Sequence, residues 1–170
     1  MRIALAQAVL KGDKIDDVIR DAVMLGVAGI RPLVTERADV PAAAFRQGGR
    51  VDRWRRVAIS SVKQCGRAVV PDIESPASLA ECLAADRSDV RVLLAEPSAS
   101  AGGGLDTLRR LPAVSSALML IGPEGGWTAA EVAVAIQAGS VPITLGPRTL
   151  RADAAPLVAL ALLLHVWGDL

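Results

Sequence analysis

Tyrosine is absent from the 170 residues, and Phe45, Trp54, Trp127 and Trp167 are the only aromatics. That excludes an aromatic platform on which successive RNA bases would stack. One histidine and two cysteines are too few for a disulfide scaffold and make a protein-only zinc centre improbable, so no metal is expected. The single His165 sits in an apolar stretch and reads as structural, which makes a Ser-His-Asp hydrolase a poor fit. Cys65 and Cys82 read as buried small hydrophobes. Long apolar runs are missing too. The longest, Ala154–Val166, is broken by Pro156 and His165 and falls short of the roughly 17–25 residues of a membrane span. A buried or interfacial helix is expected there, and no membrane partner. The first residues, MRIALAQAVLKGDK, lack the long apolar core and small-residue cleavage site of a secretory signal, so a cytoplasmic location is expected. Neither G-x-x-x-x-G-K-[ST] nor G-x-G-x-x-G is present, which removes P-loop ATP hydrolysis and a Rossmann dinucleotide site.

What is present suffices for one domain over residues 1–170: 52% hydrophobic residues against 22% charged ones can bury a core. The net charge of +1 conceals an asymmetry. Met1–Arg67 carries 13 Lys and Arg against 7 Asp and Glu, whereas Ala68–Leu170 carries 6 against 11. Arg46, Arg50, Arg53, Arg55, Arg56, Lys63 and Arg67 face only Asp52 among nearby acids. A polyanion would want such a patch, and a solvated helix face would look the same.

Along the chain, Arg2–Leu10 is expected as a strand, with Asp13 capping a helix whose apolar side is Ile15, Val18, Ile19, Ala22, Val23 and Leu25, and Gly26 ending it. Gly29–Thr35 predicts a strand, and Val51–Gln64 a helix with Trp54, Val57, Ala58 and Val62 on one side. Val69-Val70 is expected as a short strand, and Pro76–Ala85 as a helix with its proline in the first turn. Val90–Ala95, Ala117–Ile121 and Val141–Leu145 predict strands, Thr128–Ala138 and Asp153–Trp167 helices, and Pro97–Gly104 a mobile loop. This alternation means an α/β fold with a mostly parallel sheet and helices on both faces.

In such sheets ligands collect beyond the carboxyl ends of the strands. Three strand ends run into loops suited to that: Leu94-Ala95-Glu96, Ile121-Gly122-Pro123-Glu124-Gly125-Gly126, and Leu145-Gly146-Pro147-Arg148-Thr149-Leu150-Arg151. Glycine admits a ligand to bare backbone and proline stiffens the turn. A nucleoside-like ligand held by main-chain groups is compatible with all three.

The strings Leu120-Ile121-Gly122-Pro123-Glu124-Gly125-Gly126-Trp127, with Glu131 behind, and Leu145-Gly146-Pro147-Arg148-Thr149-Leu150-Arg151-Ala152-Asp153 resemble the end of the RsmE family. Ala6–Lys14, Leu25-Gly26-Val27, Pro32-Leu33 with Thr35-Glu36-Arg37, Arg53-Trp54 and Gln64-Cys65-Gly66-Arg67 extend the likeness over nearly the whole chain. The resemblance implies a SPOUT-class methyltransferase that uses S-adenosylmethionine to methylate N3 of a uridine in 16S rRNA of the small ribosomal subunit. It further implies a carboxyl-terminal trefoil knot and a homodimer with the last helix near the interface. The cofactor would contact Leu94, Ala95, Glu96, Ile121, Gly122, Pro123, Glu124, Gly125, Gly126, Leu145, Gly146, Arg148, Leu150 and Arg151. Family members usually carry an amino-terminal, PUA-like β-barrel that grips RNA, and this chain starts where that domain would end. The family's Arg-Thr-Glu-Thr is Arg151-Ala152-Asp153-Ala154 here, which loses two hydroxyls and leaves Asp153 to cap the last helix. A family glutamate falls at Ser60, and a lysine and a glutamate fall near Asp21 and Met24.

Uracil N3 methylation requires loss of the N3 proton and an in-line methyl donor. Glu124 or Asp153 is the candidate proton acceptor, with Arg151 steadying charge on the uracil oxygens. A loop-bracing bond, a helix cap and a salt bridge are the corresponding structural roles. Lys11, Lys14, Arg37, Arg53, Arg55, Arg56, Lys63 and Arg67 are the candidate RNA contacts. Two other readings stand beside this one: a non-catalytic RNA-binding or dimerisation fragment, and a knotted methyltransferase acting on another rRNA or tRNA nucleotide.

Overall fold

The structure, a computed structural model, describes residues 1–40, 45, 49–97, 103–110 and 114–167. Among the described residues seven strands and six helices follow one another as β1 (Arg2–Ala8), α1 (Lys14–Met24), β2 (Gly29–Val34), α2 (Gly49–Cys65), β3 (Asp72–Ile73), β4 (Ala77–Ser78), α3 (Leu79–Ala85), β5 (Val90–Leu94), α4 (Leu105–Arg109), β6 (Ser116–Ile121), α5 (Ala129–Gln137), β7 (Ser140–Ile143) and α6 (Ala155–Val166). The sheet runs β3-β2-β1-β6-β5-β7, with β4 continuing along β2 beyond β3, and every pairing is parallel. Parallel strands buried on both faces need apolar residues at consecutive positions, and β6, SALMLI, has five buried residues in a row.

Two cores result. On one face Ile3, Leu5, Ile30, Val92, Met119 and Ile121 pack with the apolar sides of α1, α2 and α6, including Trp54 and Leu160. On the other, Ala6, Leu33, Leu93, Leu118 and Leu120 meet Leu79 and Leu83 of α3 and Ala135 of α5. Helices therefore cover both faces, as expected. Gly26, at φ +93°, turns the chain out of α1 in a conformation that other residues rarely adopt. Capping boxes start α3 and α5, where Ser78 and Thr128 accept from the amides of Glu81 and Glu131 while those glutamates accept from the capping amides.

Several expectations are corrected. Val69 and Val70 are exposed and unpaired, and the strand begins instead at Asp72, where the chain reaches Gly29. The third helix begins at Leu79 rather than Pro76, because Ala77 and Ser78 pair with Leu33 and Val34 and the Ser78 hydroxyl supplies the cap. Asp13 occupies the cap position of α1 but makes no capping bond; its carboxylate goes to Arg53 at 3.0 Å. Asp153 likewise does not cap α6, since Arg151 takes its carboxylate. The last strand ends at Ile143, two residues early, and the short α4 carried no apolar periodicity to announce it. Cys82 is buried, whereas Cys65 is only partly so. Of the Pro97–Gly104 loop and the basic run, residues 98–102 and Arg46 lie outside the described residues.

A charged network after α3 joins β2 to β5. The wholly buried carboxylate of Asp86 accepts from Arg31 Nη1 (2.9 Å), Arg91 Nε (2.8 Å) and Ser88 Oγ (2.7 Å). Burial alone would raise its pKa, but the hydrogen bonds from Ser88 and Arg31 and the Arg91 charge outweigh it and hold the carboxyl below its ordinary value. Asp86→Ala would leave Arg91 without a carboxylate partner and Arg31 with Glu74 alone. Each arginine is 23% exposed, which limits the penalty to the lower end for broken buried pairs, about 3 kcal/mol. Urea unfolding should show that loss; less than about 1 kcal/mol would contradict the role given to Asp86.

Asp89 joins the amino ends of β5 and β6, accepting from Ser115 Oγ (2.7 Å) and the amides of Ser115 and Ser116 (2.9 Å each). Those bonds hold its pKa at about 2. Because the folded value lies below the unfolded one, its contribution to stability is complete above the unfolded pKa of about 4 and is lost as pH falls towards 2. An NMR titration of the Asp89 carboxyl should give a midpoint near 2, and a midpoint near 4 would remove the bracing.

Candidate functional site

Because the sheet is parallel, β5, β6 and β7 bring their carboxyl ends to one edge, and the three loops leaving them surround one cavity of about 300 Å³. Leu94, Ala95 and Glu96 come from the first loop, Ile121, Gly122, Pro123, Glu124 and Gly126 from the second, and Leu145, Arg148, Leu150 and Arg151 from the third. Twelve of the fourteen residues expected around a cofactor therefore line a single space. Gly125 and Gly146 do not: Gly125 turns towards Arg37, and Gly146 makes a turn at φ +81°.

The wall of the cavity is set by close approach. Trp127 donates its indole N–H to the Leu94 carbonyl at 3.1 Å, tying the end of β5 to the loop after β6. Its ring lies against Gly122, where an added Cβ would sit 3.2 Å from ring atoms. Gly126, at φ +69°, leaves space that the Glu96 carboxylate occupies. Beneath the loop, the fully buried Gln7 donates to the Ala8 carbonyl at 3.0 Å and reaches the Gly122 carbonyl at 3.5 Å. The floor is apolar and the rim charged, with Lys14, Arg148 and Arg151 facing Glu96, Glu124 and Asp153.

The three candidate catalytic side chains all reach this rim, each already engaged. Glu124 Oε1 accepts from Lys14 Nζ at 2.9 Å and from the Lys11 amide at 3.3 Å. Partial burial pushes the Glu124 pKa up, but the Lys14 hydrogen bond, backbone amides and the Lys14 charge overcome it and hold the carboxyl below the usual glutamate range. Arg151 grips Asp153 through Nε (3.1 Å) and Nη2 (3.0 Å). Desolvation raises Asp153, but the Arg151 hydrogen bond, a backbone bond and the Arg151 and Lys14 charges together outweigh it, so its carboxyl too is held low. Both carboxylates are ionised at neutral pH and weakly basic, and the Arg151 guanidinium is largely exposed.

The candidate RNA contacts divide. Lys14 lines the cavity and Lys11 lies beside it at the Glu124 carboxylate. Arg37 donates to the Gly125 and Trp127 carbonyls. Arg53, Arg56 and Lys63 fall at three- and seven-residue spacings along the exposed side of α2, where Arg53 is bound to Asp13 and Asp16. Arg55 donates to Asp52 and to the Ile73 carbonyl. Arg67 turns inward to the Val23 and Val27 carbonyls, where it closes the end of α1. Sequence reasoning missed Lys14, Trp127, Ala152 and Ala155 as cavity residues, whereas Pro97 and Thr149 lie in the loops expected after β5 and β7. Only Trp127, the one large side chain beside the glycines, carried a visible signal. Among the described residues no cluster of three or more His, Cys, Asp or Glu could hold a metal ion, and no helix is long and apolar enough to cross a membrane.

Comparison with known proteins agrees with this geometry. Residues 1–164 match the family model described as an RNA methyltransferase domain. The ribosomal RNA small subunit methyltransferase E of Buchnera aphidicola subsp. Schizaphis graminum is 32% identical over 99% of this chain and 67% of its own length. The Bacillus subtilis protein of that name is 30% identical over 95% of this chain and 64% of its own. The Synechocystis one is 32% identical over 94% and 52%. The chain thus spans between about half and two thirds of these relatives. The ribosomal RNA small subunit methyltransferase E of Neisseria gonorrhoeae, solved bound to S-adenosyl methionine, superposes with a TM-score of 0.85 at 33% identity, covering 98% of this chain and 67% of that one. A Legionella pneumophila protein solved with the bound cofactor SAM gives 0.88 at 30% identity, covering 97% and 66%. By these matches the chain belongs to the RNA methyltransferase domain family and, within it, to the ribosomal RNA small subunit methyltransferase E family.

Proposed function

We propose that this chain is the methyl-transferring domain of a cytoplasmic, homodimeric enzyme that methylates N3 of a uridine in 16S rRNA, with S-adenosylmethionine bound in the cavity at the ends of β5, β6 and β7. The observation that carries the reading is the convergence of three strand-end loops on one space of about 300 Å³, within the size range of small-molecule sites. The residues suit the ligand. Leu94, Ile121, Leu145 and Leu150 offer apolar walls to a purine, and Gly122 and Gly126 expose backbone. The mixed rim suits a zwitterion that also bears a sulfonium cation.

The proposal includes a trefoil knot. In its favour, β7 pairs with β5 on one side, while on the other Gly103 donates to the Pro142 carbonyl (3.1 Å) and accepts from the Thr144 amide (2.9 Å). β7 is therefore flanked on both sides by the ends of one earlier stretch, β5 and the Gly103 segment that precedes β6. A dimer is supported by α6, which buries Leu160 and Leu164 but leaves Leu157, Val158, Ala161 and Leu162 wholly or partly uncovered.

S-adenosylmethionine supplies an electrophilic methyl group. Glu124 or Asp153 accepts the uracil N3 proton, and Arg151 steadies the negative charge spread over the uracil oxygens. Since both carboxylates are weak bases, placement of the two reactants carries much of the acceleration. Lys11, Lys14, Arg53, Arg56 and Lys63 contact RNA phosphates.

Calorimetric titration of S-adenosylmethionine into the intact chain tests the site. Micromolar binding is expected, abolished in Gly122→Trp, whose side chain has no room beside Trp127. A folded chain that binds no donor would overturn the proposal. For the RNA face, the slope of log affinity against log salt on a 16S fragment should flatten by roughly 0.7–0.9 each for Arg56→Ala and Lys63→Ala. Arg67→Ala should instead lower thermal stability and leave the slope unchanged. A flattened slope in Arg67→Ala alone would contradict this assignment.

A further inference from the structure

The loop of residues 122–127 has two sides. Gly122, Pro123, Glu124, Gly126 and Trp127 face the cavity, whereas Gly125 faces the turn that follows β2. β2 contributes nothing to the cavity and is separated from β6 by β1. From that turn Arg37 Nη1 donates to the Gly125 carbonyl at 3.1 Å and to the Trp127 carbonyl at 3.3 Å. One residue earlier, the Glu36 amide donates to Glu131 Oε1 at 3.0 Å, while Glu131 Oε2 closes the capping box on Thr128. The two attachments bracket the loop at its apex and at the start of α5. A third contact confirms how closely the pieces meet: a Cβ at Gly125 would lie 3.0 Å from Arg37 Cβ and 3.2 Å from the Arg37 carbonyl oxygen.

We infer that Arg37, with Glu131, straps the 122–127 loop from outside the cavity, making Arg37 a positioning residue for the cofactor site rather than chiefly a phosphate contact. The inference rests on the reading that S-adenosylmethionine occupies the cavity. A guanidinium suits the task because it stays charged and presents several N–H groups in a fixed plane, so it can hold two carbonyls at once. Those carbonyls belong to the residue beside Gly126 and to Trp127 itself, whose ring forms the wall against Gly122. Release of the strap would free the wall and the backbone that meets the ligand, with no ligand contact removed.

Arg37→Ala removes the strap from one side and Gly125→Ala disturbs it from the other. Gly125 is not in the left-handed region, so alanine there is resisted only by Arg37. S-adenosylmethionine affinity would be measured by calorimetry without RNA, beside melting and circular dichroism of the ligand-free chains and hydrogen exchange of the 122–127 amides. Both variants should bind about tenfold more weakly, melt close to the parent, and exchange those amides faster. Arg37→Lys should recover part of the affinity, and it decides the matter together with Gly125→Ala if Arg37→Ala does not fold. Parental affinity in Arg37→Ala and Gly125→Ala would overturn the strap, as would a defect confined to RNA affinity and its salt dependence. If the parent itself binds no donor, the site reading fails first. The exchange measurement then still decides the strap, and unchanged protection of 122–127 would reject it.

Discussion

A parallel sheet buried on both faces imposes one constraint from which the rest follows: every strand delivers its carboxyl end to the same edge. In this chain β5, β6 and β7 are neighbours in the order β6-β5-β7, although they are not in sequence order. That order places three glycine-, proline- or acid-bearing loops around one space, and it puts Trp127 within reach of the Leu94 carbonyl. Were any of these strands antiparallel, its loop would leave from the opposite edge and the cavity would lack a wall.

Packing and polarity divide the work around that edge. The apolar face formed with α1, α2 and α6 backs the cavity through Ile121 and Ala155. The polar groups are committed to one another: Glu124 to Lys14, Asp153 to Arg151, Arg37 to the loop carbonyls, Gln7 to Ala8 and Gly122. A site built in this way is organised before any ligand arrives, which lowers the ordering cost of binding. Its carboxylates are strongly ionised and weakly basic, so its chemistry depends on position more than on proton affinity.

Much of this was legible in the sequence because the signals were local. Unbroken apolar runs such as LMLI mark doubly buried strands, and glycine and proline directly behind them mark the loops. The missed features are those fixed by distant partners. Nothing local tells Asp13 to prefer Arg53, or Asp153 to prefer Arg151, over a helix cap. Val69-Val70 has strand-forming residues but no strand beside it, and pairing starts only where Asp72 reaches Gly29. Arg67, in the basic run, and Arg37, ahead of it, look like solvent cations, and only the fold shows their carbonyl partners. Lys14 reads as an RNA contact in the sequence because its place at the cavity depends on where α1 packs.

The whole reading depends on the methyl donor sitting in the cavity at the ends of β5, β6 and β7. Backbone amide and indole NMR shifts, followed as S-adenosylmethionine is added to the labelled chain, test it residue by residue. The largest changes should fall on residues 94–97, 121–127 and 145–153, with the Trp127 indole among them and the exposed side of α2 unmoved. Changes centred on α2, or spread evenly with the three loops silent, would contradict it.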